Sequence, residues 1–185
     1  MRKLIYGINI SLDGCCDHTK FSGADDIQDY FRELLEGVDL IIYGRKTYEL
    51  MVPFWPEVAQ TQSMNEAANA FAKVFANLKR VVVSQTIDSV DEQATIIRDN
   101  LKEEVLKLKQ QPGKAISTGG VELPARLIEL GLIDEFHMVV HPVIVGQGRR
   151  LFTEMYLPEN LGLKLVSSQT LSTGCMALRY ERVGK

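Results

Sequence analysis

The chain has 185 residues, 45% of them hydrophobic and 24% charged, and a formal net charge of −3 at pH 7. That length fits one domain, and the mix excludes a disordered chain, a collagen-like fibre and a coiled coil. It carries no basic excess of the kind a nucleic-acid binder needs, and no apolar run approaches the roughly 18 residues of a membrane span.

The start has a charged head, Arg2-Lys3, like that of a signal peptide. Its apolar stretch is short, however, and Ser11-Leu12-Asp13-Gly14 follows in place of a small-residue cleavage site, so a soluble cytoplasmic protein is expected. Cys15, Cys16 and Cys175 are odd in number and two are adjacent, which makes a poor disulfide framework and favours reduced thiols. Cys15, Cys16 and His18 fall close together, but vicinal cysteines do not match zinc-ligand spacing, and no metal is expected.

Lys3 to Ile10 predicts a largely buried strand, ended by turn chemistry at Ser11 to Gly14. From Gly23 onward, Ile27, Tyr30, Phe31, Leu34 and Leu35 recur at helical intervals behind Asp25, Asp26 and Asp29, and Gly37 stops the run. Asp39 to Tyr43 reads as a second buried strand, and Gly44 to Glu49 leads into a short helix. Pro53-Phe54-Trp55-Pro56 reads as an aromatic loop holding the one tryptophan, and Ser63 to Ala76 has helical leanings. Arg80 to Ser84 and the shorter Thr95 to Ile97 read as strands, followed by an amphipathic helix marked by Leu101, Val105 and Leu108 that stops before Pro112-Gly113. Lys114 to Thr118 is the next strand and runs straight into Gly119-Gly120, and Leu123, Leu127, Ile128 and Leu130 form a helix closed by Gly131. Glu135 to Val145 predicts a long strand in which Pro142 implies an edge, a bend or a bulge. Leu163 to Leu171 and Cys175 to Arg182 predict a closing antiparallel pair around Ser172-Thr173-Gly174. Strands alternating with helices through residue 131 argue for a mostly parallel sheet covered on both faces. The fold class expected is α/β, a single domain over residues 1–185 with a mixed sheet.

In such a sheet, ligands bind beyond the carboxyl ends of the strands. Two glycine sites occupy such ends. In Ser117-Thr118-Gly119-Gly120-Val121-Glu122-Leu123 the glycines let a phosphate approach the backbone, and the following helix start offers free N–H groups and positive partial charge. The segment lacks the Lys-Ser/Thr of a Walker loop and the GxGxxG spacing, and reads equally as a tight strand-to-helix turn. In Gly44-Arg45-Lys46-Thr47 two cations and a hydroxyl suit a phosphate, while a solvated Arg-Lys pair is the plainer reading. Two such sites fit a ligand with more than one phosphate, such as a dinucleotide. Ser84-Gln85-Thr86, at a third strand end, offers hydroxyl and amide contacts to a ribose or phosphate.

Five segments then carry a resemblance: Ser11 to Gly14 after an N-terminal strand, Ile41 to Glu49, Trp55-Pro56, Val82 to Ser84, and Ile116 to Gly120. Their order and spacing resemble the dihydrofolate reductase superfamily, and most closely its bacterial branch similar to the C-terminal reductase domain of the riboflavin-biosynthesis deaminase-reductase. His141-Pro142-Val143-Ile144-Val145-Gly146-Gln147-Gly148 with Leu151-Phe152 is similar to that branch as well. The resemblance implies a three-layer α/β/α fold, a homodimer, and an NADPH-dependent reductase that transfers hydride to a small heterocyclic substrate. It implies cofactor phosphates at Gly44, Arg45, Lys46 and Thr47, the adenosine 2′-phosphate near Ser84 and Gln85, and the pyrophosphate at Thr118, Gly119 and Gly120 with the helix start Val121, Glu122 and Leu123. Ile8, Asn9 and Ile10 would lie near the nicotinamide.

Authentic dihydrofolate reductases carry an acid on the first long helix. Here Asp25, Asp26 and Asp29 lie near that helix start and Asp13 near the site; Asp13 and Asp26 are taken as the candidate catalytic carboxylates. Turn capping by Asp13 and helix-dipole placement of the other acids are the competing readings. The Cys15 to Lys20 segment is unlike the classical enzyme; it is expected at the substrate pocket with His18 as a polar contact, and Trp55 as a wall for a flat ring. His137 and His141 share a strand face and are expected as a solvent-facing or hydrogen-bonded pair. Two rival functions are reduction of the ribosyl group of 5-amino-6-(5-phosphoribosylamino)uracil, weakened by the lack of a fused deaminase motif, and a nucleotide-binding or regulatory protein without catalysis.

Overall fold

Period-two alternation of branched residues in the strands assigns each side chain to one of two cores, and a computed structural model shows both; it describes residues 1–21, 23–153 and 155–184. These residues form eight strands and six α-helices. In chain order the elements are β1 (Leu4–Ser11), α1 (Asp25–Glu36), β2 (Val38–Gly44), α2 (Arg45–Met51), α3 (Phe54–Thr61), α4 (Glu66–Ala76), β3 (Lys79–Val83) and β4 (Ala94–Ile97). Then follow α5 (Leu101–Gln110), β5 (Ala115–Thr118), α6 (Glu122–Glu129), β6 (Glu135–His141), β7 (Leu163–Thr170) and β8 (Met176–Arg182). All eight strands join one sheet in the order β4-β3-β2-β5-β1-β6-β8-β7. Pairing is parallel from β4 to β6 and antiparallel between β6, β8 and β7, the mixed sheet expected.

Leu4, Tyr6, Ile42, Val81 and Ile116 point to one face and pack on Val105 of α5 and Leu123, Leu127 and Ile128 of α6. Their neighbours Ile5, Ile41, Tyr43 and Val82 point to the other face and pack on Leu35 of α1 and Phe71 and Phe75 of α4. A helical layer therefore covers each face of the central strands, giving the three-layer α/β/α arrangement. The coverage stops at the far edge. All eight residues of β7 are exposed, because β7 and β8 follow the last helix and nothing later in the described chain packs over them.

Three boundaries differ from the sequence reading. The aromatic segment 53–56 is not a loop: Phe54, Trp55 and Pro56 open α3. Proline fits there because the first turn of a helix needs no N–H donors to a preceding carbonyl. The strand expected over residues 135–145 ends at His141, since Pro142 has no N–H and β6 lies between two strands that both require pairing. Helix α4 begins only at Glu66, where Asn65 Oδ1 accepts from Ala68 N at 2.9 Å and caps it.

At the amino end of the central strands, the Glu135 carboxylate is 4% exposed and is bound by cations reaching in from solvent. It accepts from Arg179 Nε at 2.6 Å and Nη2 at 3.2 Å and from Lys3 Nζ at 3.1 Å, and it is hydrogen-bonded to His137 Nε2 at 2.7 Å. Burial pushes the carboxyl up, but the hydrogen bonds from His137, Arg179 and Lys3 outweigh it and hold the group well below the usual carboxylate range.

Candidate functional site

Parallel pairing of β1 to β6 brings six carboxyl ends to one side of the sheet. A cavity of about 550 Å³ opens there. Ile8, Asn9, Thr47, Thr118, Gly119, Gly120, His18 and Trp55, all singled out in the sequence, line it together. The two glycine turns are neighbours. Gly44 approaches Leu123, and Thr47 Oγ1 lies against Gly120, whose φ of +86° belongs to the left-handed region. Tyr6 donates from its hydroxyl to Gly120 O at 2.8 Å, and Thr118 Oγ1 donates to Ile42 O at 2.8 Å, so side chains from β1 and β5 fix the turn.

The cations lie beside these turns. Arg45 donates to Glu49 at 2.6 Å and to Thr86 Oγ1 at 2.9 Å, which joins α2 to the end of β3. Ser84 Oγ accepts from Thr86 N and Ile87 N, closing the turn after β3. Gln85 reaches Asp99 at 3.5 Å. Lys46 Nζ and Arg149 Nη2 both meet Glu122 Oε1, at 2.8 and 3.1 Å, and those bonds hold the Glu122 carboxyl below its ordinary range. Val121 precedes α6, and Leu123, in its first turn, is buried.

Neither candidate catalytic carboxylate lines the cavity. Asp13 accepts from Ser11 Oγ at 2.6 Å, Val145 N at 3.1 Å and Gly146 N at 3.0 Å, and Arg150 pairs with it at 3.2 Å. The Ser11 hydroxyl and the two backbone donors hold it well below the usual carboxylate range, as an anchor for the 145–146 loop. Asp26 Oδ2 accepts from Ser172 Oγ, Thr173 N and Thr173 Oγ1 and fixes the turn between β7 and β8. Of the other two acids, Asp25 accepts from Asn65 and Asp29 pairs with Arg32.

Several residues at the site were not assigned to it from sequence. His141 is 5% exposed and lines the cavity; its Nε2 lies 3.0 Å from Asn9 Oδ1, and its ring stacks on Phe21 at 4.5 Å. Burial pushes its pKa down. Its position at the carboxyl end of a strand was the available signal. His137 instead bonds Tyr30 and Glu135, so the two histidines have separate partners. Phe31 and Phe71 also line the cavity, as does Cys16, from the segment expected there. Arg98, just beyond β4, donates to Ser84 O and Ile87 O, and Arg149 arrives from a distant loop. Among the described residues no cluster of His, Cys, Asp and Glu could hold a metal ion, and no helix is long and apolar enough to cross a membrane.

Comparison with known proteins bears on the family and the fold. Residues 2–177 match the family described as the RibD C-terminal domain. YyaP of Bacillus subtilis is 34% identical over 183 residues, covering 97% of this chain and 94% of that protein. Among solved structures, a pyrimidine reductase-like protein of Corynebacterium diphtheriae aligns with a TM-score of 0.67 at 16% identity, over 100% of this chain and 93% of the other. Dihydrofolate reductase of Enterococcus faecalis aligns with a TM-score of 0.65 at 14% identity, over 98% and 97%. These likenesses establish the fold as that of dihydrofolate reductase.

Proposed function

The chain belongs to the family of the RibD C-terminal domain, and from that premise we propose that it is an NADPH-dependent reductase transferring hydride to a small heterocyclic substrate. The observation that carries this reading is that the Gly119-Gly120 turn and Thr47 line one cavity together, with Thr47 Oγ1 against Gly120. Gly119 and Gly120 line it, and a Cβ on Gly120 would fall on Thr47 Oγ1, which lines the cavity beside it. Bound NADPH would supply the hydride. Gly119, Gly120 and the start of α6 would receive the pyrophosphate with Thr47 and Lys46, and Arg45 with the Ser84 to Thr86 turn would take the 2′-phosphate. Ile8 and Asn9 would flank the nicotinamide, with Asn9 held by His141. Trp55 and His18 would face the substrate.

Calorimetric titration tests the assignment. NADPH should bind about 10–100-fold more tightly than NADH, the worth of a charge-assisted contact of about 1.5–3 kcal/mol. Equal affinities would remove Arg45 and the Ser84 turn from the cofactor site.

The same reading makes residues 1–185 one domain, working in the cytoplasm as a homodimer. Free Cys15, Cys16 and Cys175 suit a reducing compartment. The dimer is supported by β7, an edge strand with Leu163, Leu165 and Val166 exposed. Light scattering should give twice the 20.8 kDa chain mass, and Leu165→Glu should return it to the monomer value. A wild-type monomer would refute the dimer.

A further inference from the structure

Reducing a C=O or C=N bond takes a proton as well as a hydride, and neither Asp13 nor Asp26 lines the cavity to supply it. Among the described residues the titratable side chains of the cavity wall are Cys16, His18, Tyr43 and His141. Burial pushes the Cys16 thiol and the Tyr43 hydroxyl up, away from neutrality. His18 is exposed on a single helical turn. His141 is both buried and oriented. It ends β6 in register with Ser11 of β1, its ring stacks on Phe21, and its Nε2 lies 3.0 Å from Asn9 Oδ1. A carboxamide oxygen only accepts, so Nε2 is the donor in that bond, and Nδ1 is left as the nitrogen that gains and loses a proton.

Asp26 of α1 is the carboxylate whose charge reaches this ring. Its Oδ2 is taken by Ser172 and Thr173, while Oδ1 is buried without a hydrogen-bond partner among the described residues. The Asp26 charge favours the protonated imidazole and opposes burial, which favours the neutral one. One step beyond the Val140–Met176 pairing of β6 with β8 lies Cys175, a buried free thiol. We infer that His141 is the proton donor of the reaction, with Nδ1 as the donating atom and Asp26 acting through it as a positioning residue. The inference rests on the reductase reading and names the acid that reading lacks. In the step, the substrate carbon takes the hydride and forms a C–H bond. The π pair of C=O or C=N moves to the heteroatom, which takes its proton from the imidazolium. The products are the reduced substrate and NADP⁺, and the neutral imidazole regains a proton from solvent.

Two measurements test this. In the first, NMR follows the His141 ring of the full-length protein without cofactor across a pH series, its signal assigned by its loss in His141→Gln. The ring should titrate between about pH 5 and 8, the range in which a histidine serves as an acid, and Asp26→Asn should move the midpoint down. A ring that stays neutral throughout, or a midpoint that Asp26→Asn leaves unmoved, overturns the inference. The second measurement compares two probes reduced with NADPH, at a pH where the imine is neutral. One is 3,4-dihydroisoquinoline, which needs hydride and proton; the other is the N-methyl-3,4-dihydroisoquinolinium cation, which needs hydride alone. His141→Gln keeps a donor for Asn9 and should slow the imine about 100-fold more than the cation. Equal losses on both probes would overturn the inference and leave His141 a packing residue. Failure of the reductase reading is distinct: it would appear as no NADPH binding by calorimetry, whatever the pH behaviour of the ring.

Discussion

Gly120→Ala should weaken NADPH binding at least tenfold in a protein that still folds. Two physical terms act at this position. A φ of +86° puts an L side chain in the left-handed region, at about 1–2 kcal/mol. The new Cβ would also collide with Thr47 Oγ1, so Thr47 must rotate out of the place where it and the glycine backbone face the cavity together. The backbone term lowers the melting temperature by only a few degrees in a chain of this size. The combined displacement alters the proposed pyrophosphate cradle itself. Calorimetric titration alongside thermal melting separates the two effects, and a folded variant with normal affinity would reduce Gly119-Gly120 to a plain turn.

Arg179→Met should destabilise the fold by about 2–3 kcal/mol at pH 7, because it strips two hydrogen bonds from the buried Glu135 carboxylate while Lys3 and His137 remain. The effect should depend on pH with a definite sign. Glu135 is held below its ordinary value in the folded protein, so its stabilising contribution is fully present above about pH 4.5 and is lost as pH falls through the folded-state value. In the variant that value moves back up, and the gap between variant and wild type narrows in acid. Urea unfolding at a series of pH values measures this. A gap of constant size down to acid pH would show that Arg179 acts through packing and not through the carboxylate.

The parts of the site that were legible in the sequence are those encoded locally. A strand running into Gly119-Gly120, and another into Gly44-Arg45-Lys46-Thr47, can be read from a few adjacent residues, because backbone freedom and charge are properties of the segment itself. The sheet order was not legible in that way. β1 lies between β5 and β6, and only that arrangement brings Asn9 to His141 and Asp13 to the backbone of Val145 and Gly146. For the same reason the sequence offers Asp13 and Asp26 only as catalytic candidates or local capping groups, and in the fold each is an acceptor for a distant loop. Helix α3 was hidden for a different reason: prolines at 53 and 56 are strong turn signals, and their tolerance in a first helical turn shows only when the following residues are seen to wind.

The sharing of Glu122 Oε1 by Lys46 and Arg149 has a consequence for how an anion arrives. The two cations do not wait as an open positive field, because a carboxylate already serves as their counter-ion. Under the proposed reading an incoming pyrophosphate would exchange partners with Glu122, and the driving force would be the difference between two anions. Mobile salt screens the outgoing pair as well as the incoming one. Affinity should therefore decline with ionic strength less steeply than two unpaired cations would dictate, and Glu122→Gln should steepen that dependence. A resident carboxylate of this kind also discriminates: a singly charged anion offers the cations little that Glu122 does not, whereas a ligand bearing several phosphate charges does.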